Sequence, residues 1–356
     1  MTVLIALLGL ICLIVIHELG HMLTAKALGV RVLEFGVGFG PALFKKRFGK
    51  TIYSFRIILL GGFAKMAGMQ DIGSVAQERG EMEPDTYPAK PPWRRALIIF
   101  AGPFANLMAA VVILAGVYMY SGAPTGNVTT EVSNVTSDSL AAEVGIRSGD
   151  ELVAIDGTSV QTWEEFTEVV QAREPGEQVT LTVERNGSAR TFSGELGANP
   201  EDRDQALVGV SPVQEMQRYG PIGALGLAVQ QIAEITVRLG GFIGQLITGE
   251  QNFYDNVTGP VGIATVGSAS VVQGFFLPLL AFISLNLAIF NLLPILPLDG
   301  GHLLLIALEK VMGRPVSQET MGKIAFLGLA LILTLFLFAT YADVSKIIQG
   351  QPFIPE

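Results

Sequence analysis

Three residues near the amino terminus have the types and the spacing of a zinc site: His17, Glu18 and His21 form an H-E-x-x-H motif. On a helix the two histidines lie about 40° apart around the axis and about 6 Å apart along it, so both imidazoles can reach one metal ion. Glu18 lies beside them and can act as general base toward an attacking water, as in metalloproteases. The chain has only three histidines, and two of them are in this motif.

The motif lies in an apolar stretch, residues 1–28, that is long enough to cross a bilayer. Ionisable groups at the centre of a membrane helix cost about 2.5–3.5 kcal/mol each on the insertion scale, so they are rare there and usually functional. The stretch lacks a basic n-region and a small-x-small cleavage site. We therefore expect a retained transmembrane helix rather than a signal peptide.

A catalytic zinc ion takes three protein ligands and leaves a fourth position open. Across residues 271–308 the only ionisable residues are Asp299 and His302, and prolines and glycines interrupt the helix around them. Broken backbone at membrane depth is tolerated where it lines a protein cavity or a wet pocket. We take Asp299 as the best third ligand. A compatible alternative role for Asp299 is to cap the helix that begins near Gly300.

The composition is that of a membrane protein, because half of the residues are apolar and only 15% are charged, against roughly 25% in soluble domains. The net charge of -9 argues against a nucleic-acid partner. About four transmembrane helices are predicted, over residues 1–28, 93–121, 271–308 and 324–342. Residues 219–270 are predicted to form an interfacial helix and a linker, with a fifth span as the alternative.

The charges of the two long loops predict the orientation. From Lys26 to Arg95 there are 12 basic and 6 acidic residues, whereas residues 121–270 hold 7 basic and 20 acidic ones. By the positive-inside rule the first loop is cytoplasmic, and both termini and the acidic segment are extracytoplasmic.

The acidic segment predicts a compact α+β domain over residues 126–212. A turn at Gly149-Asp150 precedes a short apolar strand, Thr162 and Glu165 have capping-box spacing, and Asn186-Gly187 is a type I′ hairpin signal. Within the first loop, residues 29–92, alternation of apolar and polar residues predicts strands. Its Gly36-x-Gly38-x-Gly40 run lacks the spacing of a phosphate loop, so no nucleotide is expected.

Together these motifs resemble the site-2 protease family, the intramembrane zinc metalloproteases of the bacterial RseP type. The resemblance covers nearly the whole chain. It rests on the H-E-x-x-H motif, on Gly102-Pro103-Phe-Ala-Asn106, on a domain similar to circularly permuted bacterial PDZ domains, and on the N-x-x-P-x-x-P-L-D-G-G run from Asn291. One departure is that enterobacterial members have two tandem PDZ modules, whereas this chain has room for one.

The resemblance implies a role for each matching residue. His17, His21 and Asp299 would hold Zn²⁺ and Glu18 would be the catalytic base. Substrate-binding residues would be Asn286, Asn291, Gly102, Pro103 and Asn106. The first loop would contain a membrane-associated β-hairpin on the cytoplasmic side.

The predicted function is regulated intramembrane proteolysis of single-span proteins in a bacterial inner membrane, with the active site near the cytoplasmic side. Its partners would be a transmembrane protein substrate, such as an anti-sigma factor or a remnant signal peptide already cut once outside the membrane, and membrane lipid. Two alternatives are a catalytically silent membrane scaffold that uses the PDZ domain, and a membrane zinc protease for misfolded soluble proteins.

Overall fold

The computed structural model describes residues 1–69, 83–199, 202, 204–250, 258–314 and 316–349. The chain forms two compact units, one from Met1–Val117 with Gly220–Glu356 and the other from Tyr118–Tyr219. The described helices in chain order are α1 (Thr2–Ala27), α2 (Pro92–Tyr120), α3 (Leu140–Val144), α4 (Trp163–Gln171), α5 (Pro221–Thr248), α6 (Pro260–Gln273), α7 (Phe276–Asn291), α8 (Asp299–Met312) and α9 (Gln318–Gln349). The described strands are β1 (Val32–Phe48), β2 (Thr51–Met66), β3 (Ala123–Val135), β4 (Glu151–Ile155), β5 (Thr158–Ser159), β6 (Gln178–Arg185), β7 (Ser188–Glu195), β8 (Gly197–Ala198), β9 (Ala206–Leu207) and β10 (Val210–Gln217).

Four helices of the described part are long and apolar enough to cross a membrane: Thr2–Ala27, Pro92–Tyr120, Pro221–Leu246 and Glu319–Gln349. The number agrees with the sequence prediction, but the set of helices differs. Three of them match the predicted spans 1–28, 93–121 and 324–342. The fourth is most of α5, which the sequence predicted to be interfacial with a span as the alternative, and its length and composition suit a span.

The predicted span 271–308 is not one helix. It comprises the end of α6, the apolar helix α7 and the helix α8, and Leu292–Leu298 separate the last two. The prolines at 294 and 297 in this connection remove backbone donors and keep the helix from continuing. The predicted linker before it is also partly wrong, because Pro260–Gln273 are helical. Small residues let α6 pack closely on α1: a Cβ added at Gly267 would lie 3.2 Å from that of Ala6.

The first loop contains a β-hairpin, as predicted. Strands β1 and β2 are antiparallel, with several register shifts along their length. The base of the hairpin packs under the end of α1 in a cluster of buried residues, namely Met22, Ala25, Val30, Val32, Phe35, Met66 and Ile98. The hairpin is therefore attached at the end of α1 that carries the H-E-x-x-H motif.

The second unit is an α+β domain, as predicted, with bounds wider than 126–212. Its main sheet has the strand order β10-β3-β4-β6-β7, with β5 paired to β4. The predicted helix start is present, because the Thr162 hydroxyl accepts a hydrogen bond from the Glu165 N–H at 3.2 Å. Asn186 and Gly187 both have positive φ, of 53° and 74°, which a type I′ turn requires.

Candidate metal centre

Helix α1 places the two motif histidines on one face. They are four positions apart on the helix, about one turn, and their Nε2 atoms lie 3.2 Å apart. The ring of His21 is buried and its Nδ1 lies 2.9 Å from the carbonyl oxygen of Ile98 in α2. A backbone carbonyl can only accept, so this contact puts the proton of His21 on Nδ1 and leaves the lone pair on Nε2.

Asp299 reaches these histidines from the far end of the chain. Its Oδ2 lies 3.1 Å from the Nε2 of His17 and 3.4 Å from the Nε2 of His21. The predicted alternative, that Asp299 caps α8, is wrong, because the N-cap is Leu298 and Asp299 is the first helical residue. Its carboxylate is therefore free to face the imidazoles.

Two glycines allow the connection before α8 to fold back onto that helix. A Cβ at Gly300 would lie 2.2 Å from the carbonyl oxygen of Leu292, and one at Gly301 would lie 2.5 Å from the backbone nitrogen of Leu296. Side chains cannot occupy such spaces without moving the backbone. The glycines that follow Asp299 thus decide where its carboxylate lies.

The three atoms fit a zinc ion. Two imidazole nitrogens and a carboxylate oxygen are typical zinc ligands, with bonds of about 2.0–2.2 Å, which in a tetrahedral arrangement separate the ligand atoms by about 3.3 Å. The separations here are 3.1, 3.2 and 3.4 Å. Three electron-rich atoms this close together repel one another unless a cation or shared protons lie between them. The arrangement is therefore suited to a metal with three protein ligands and an open position.

Glu18 lies between the histidines and the hairpin. A Cβ at Gly62 of β2 would be 3.1 Å from the Cγ of Glu18 and 3.2 Å from the carbonyl oxygen of Gly36 in β1. The predicted base therefore borders the hairpin as well as the predicted ligands. His302, one turn into α8, is not part of the His17, His21 and Asp299 group.

The Gly102-Pro103-Phe-Ala-Asn106 motif lies in α2 against the imidazoles. A Cβ at Gly102 would lie 2.2 Å from the Nε2 of His21 and 2.9 Å from the Cε1 of His17. Pro103 is buried within α2. Asn106 is completely buried, and its Nδ2 is 3.4 Å from the Nδ1 of His17. Two of these predicted substrate-binding residues, Gly102 and Asn106, therefore lie directly against the imidazoles in this conformation.

The other two predicted substrate-binding residues belong to α7. Asn286 and Asn291 are partly exposed, and Asn291 is the last residue of the helix. Five helical residues correspond to about 140° around the axis, so the two amides point in different directions. Their role in substrate binding stays a prediction.

Sequence reasoning missed two contacts that fix the helices around the site. The Ser284 hydroxyl of α7 donates to the backbone oxygen of Asn106 at 2.8 Å. Arg95, in the first turn of α2, is 2.7 Å from Glu309 of α8, the helix that carries Asp299. Both pairs join distant parts of the chain, and no local pattern could have indicated them.

A candidate metal site between apolar helices is typical of a membrane metalloenzyme, and comparison with known proteins gives the family of this chain. A sequence profile of peptidase family M50 matches residues 5–335. The chain therefore belongs to this peptidase family, and with its apolar helices it is a multi-pass membrane protein.

Relatives similar to the chain carry the name zinc metalloprotease RasP. The one from Shouchella clausii is 30% identical, over 94% of this chain and 96% of that protein. The one from Geobacillus kaustophilus is 29% identical, over 94% of this chain and 95% of that protein. Among solved structures, the PDZ domain of an SdrC-like protein from Listeria monocytogenes is 23% identical, with a TM-score of 0.22, over 23% of this chain and 85% of that domain. The PDZ assignment stays a prediction from the sequence.

Proposed function

We propose that this chain cleaves single-span membrane proteins within their transmembrane helices. As a member of peptidase family M50 whose relatives are named zinc metalloproteases, it is a zinc-dependent metalloendopeptidase. The observation that carries the proposal is the convergence of His17, His21 and Asp299 beside Glu18. Both histidines and Glu18 belong to α1, a helix long and apolar enough to span a bilayer.

Each residue of the centre has a role that follows from its chemistry. His17, His21 and Asp299 would hold Zn²⁺, which when bound supplies Lewis-acid polarisation of the scissile carbonyl. Glu18 accepts a proton from the attacking water and passes it to the leaving amine. Its place next to the ligands and next to β2 keeps it at the point where the reacting peptide must lie.

The substrate must unwind before it can be cut, because a helix engages its carbonyls in hydrogen bonds and hydrocarbon offers no replacement partners. We infer that the hairpin of β1 and β2 supplies them by adding the unwound segment as a further strand. Gly62, close to Glu18, supports this, since it brings a strand beside the base. Asn286 and Asn291 remain the predicted contacts to the substrate. An anti-sigma factor or a remnant signal peptide is the expected class of substrate, cut after a first extracytoplasmic cleavage.

The proposed location is a bacterial inner membrane, with the unit Tyr118–Tyr219 and both termini outside and the active site near the cytoplasmic side. The excess of basic residues in the first loop and of acidic residues in the segment 121–270 supports this orientation.

The experiment compares purified wild type, Glu18→Gln and Asp299→Ala on a panel of single-span substrates in lipid vesicles. Glu18→Gln should keep one zinc per chain and lose at least about 10²-fold in cleavage rate, because the amide cannot accept the proton. Asp299→Ala should lose zinc and activity together, whereas the control His302→Ala should keep its zinc. Cleavage by Glu18→Gln at the wild-type rate would refute the mechanism, and cleavage of unfolded soluble protein alone would favour a surface protease.

A further inference from the structure

We propose that Asn106 is a positioning residue that holds His17 in the orientation and tautomer in which its Nε2 binds the metal. The inference rests on the proposed zinc centre. Asn106 is completely buried, belongs to α2, and lies with its side-chain amide 3.4 Å from the Nδ1 of His17. It is thus on the side of the imidazole opposite to Asp299.

The tautomer of His17 follows from which nitrogen faces the centre. Its Nε2 faces Asp299 and the Nε2 of His21, so a metal there takes the lone pair of Nε2. In a neutral imidazole the other nitrogen then carries the proton. Nδ1 of His17 is accordingly a donor that needs an acceptor, and Asn106 is the side chain placed against it.

The side-chain amide of Asn106 contains such an acceptor, its oxygen Oδ1, and this atom lacks a hydrogen-bond partner among the described residues. Oδ1 is also buried. With Nδ2 of Asn106 toward His17, this N–H donor would face the Nδ1–H donor of His17 once the metal is bound. The buried acceptor Oδ1 would at the same time stay unpaired. Both effects cost free energy. A half-turn of the planar amide exchanges Nδ2 and Oδ1 in nearly the same volume. The Nδ1–H of His17 then donates to Oδ1, and both groups are paired.

The corresponding hydrogen-bond partner of His21 is a backbone carbonyl. The Nδ1 of His21 is 2.9 Å from the carbonyl oxygen of Ile98, two helical turns before Asn106 in α2. A single helix thus supplies the outer hydrogen-bond partner of each histidine. Outer partners of this kind fix the ring and raise the basicity of the ligand nitrogen.

The surroundings hold Asn106 in place. One turn earlier, Gly102 leaves the space in which both imidazoles lie. On the other side, the Ser284 hydroxyl donates to the backbone oxygen of Asn106 at 2.8 Å. A residue so enclosed acts on the reaction through His17, and a substrate cannot contact it without displacing the helices.

The test measures zinc affinity by competition with a chromophoric chelator, and the visible absorption spectrum of the Co²⁺-loaded protein. Asn106→Leu keeps the approximate volume and removes the acceptor, and it should weaken zinc binding by about 10–100-fold and alter the Co²⁺ spectrum. Asn106→Asp keeps an acceptor oxygen and should stay within about threefold of wild type. The matched control is Met108→Leu, at an exposed position of the same helix, and it should bind zinc like wild type.

Each outcome bears on a stated part of the inference. Asn106→Leu with wild-type affinity and spectrum would overturn the role of Asn106 while leaving the centre intact. If Asn106→Asp binds zinc weakly while it still unfolds cooperatively, the loss of affinity comes from packing and not from a missing acceptor, and the proposed role of Asn106 is likewise overturned. Wild-type protein without stoichiometric zinc would overturn the metal centre and this inference together.

Discussion

The chemistry proposed for this protein involves four side chains and the atoms that orient them. His17, His21 and Asp299 bring three ligand atoms to separations of 3.1–3.4 Å, and Glu18 lies next to them. The orienting atoms come from α2, through the Ile98 carbonyl and the Asn106 amide. A metal site of this kind depends on its outer partners nearly as much as on its ligands.

A buried ion pair between Asp150 and Arg185 stabilises the second unit. Asp150 is 1% exposed and accepts two hydrogen bonds from Arg185, at 2.6 and 2.7 Å. These bonds hold the pKa of the Asp150 carboxyl below its ordinary value of 3.8. A carboxyl whose pKa is lowered in the folded state stabilises that state above its ordinary pKa, and this stabilisation is lost as the pH falls through the lowered value.

We therefore expect Asp150→Ala to lower the unfolding temperature of this unit by several degrees at pH 7, with the gap to wild type narrowing below about pH 4. The unfolding temperature of this unit is measured by hydrogen exchange of residues 123–217 in the full chain, as a function of temperature and pH. The control is Glu164→Ala, an exposed acid on α4. A gap that is equally large at pH 3 and pH 7 would refute the electrostatic explanation.

At the scale of elements, the centre depends on how closely α1 and α2 approach. A Cβ at Gly20 of α1 would lie 2.2 Å from the carbonyl oxygen of Ala101 in α2, and one at Gly102 would meet the ring of His21. Small residues of this kind let membrane helices pack backbone to backbone. The imidazoles occupy the space that the missing side chains leave.

This close packing predicts that Gly102→Ala displaces the imidazoles and weakens zinc binding by about tenfold or more. The matched control is Gly116→Ala in the same helix, where an added Cβ meets nothing within 4 Å. Alanine favours a helix interior over glycine by about 0.5–1 kcal/mol, so the control should lose neither zinc nor stability. Zinc affinity and thermal unfolding are measured on the two purified variants. Equal zinc affinity of Gly102→Ala and Gly116→Ala would refute the packing argument.

At the scale of the whole molecule, the unit Tyr118–Tyr219 lies in the sequence between the two segments of the other unit, and its own two ends are adjacent. The backbone N–H of Tyr219 donates to the carbonyl oxygen of Tyr118 at 3.2 Å. Such a unit can be removed and its ends joined by a short linker. The proposed cleavage of transmembrane helices needs some means to restrict substrate entry, and we propose that this unit acts as a steric gate.

We expect the proposed orientation to place this unit outside the cell. In a Cys12→Ser background, a cysteine at Ser188, which is exposed in β7, should react with an impermeant maleimide added to intact cells. A cysteine at Ser74, which lies outside the described residues, should react only after the membrane is opened. Reaction of the cysteine at 74 alone in intact cells would invert the topology.

Removal of the unit should change which substrates are cut. We expect deletion of residues 119–218, with a short linker, to permit cleavage of a substrate that still has its large extracytoplasmic domain, because steric exclusion is lost. Cleavage of a pre-trimmed substrate should be unchanged, and it serves as the control for an intact active site. Unchanged discrimination between the two substrates after the deletion would eliminate the proposed gate.

Local patterns in the sequence were enough to predict the motif helix, strands in the first loop, the α+β domain and most long apolar helices, whereas the hairpin was implied by the family resemblance. The spacing of His17, Glu18 and His21 determines their relative positions within one helix, because the helical period does not depend on the surroundings of the helix. Helix α6 was missed because its small residues give little hydrophobic signal, and the break between α7 and α8 was only partly anticipated.

Only the tertiary structure decided how Asp299 meets the histidines and what orients them. Asp299 is far from His21 in sequence, and it arrives there because Gly300 and Gly301 let the connection fold onto α8. The partnership of Asn106 with His17 depends on the approach of α1 and α2, which no local spacing encodes. Contacts between distant segments are set by packing over the whole unit, so a sequence read locally indicates the chemistry but not its geometry.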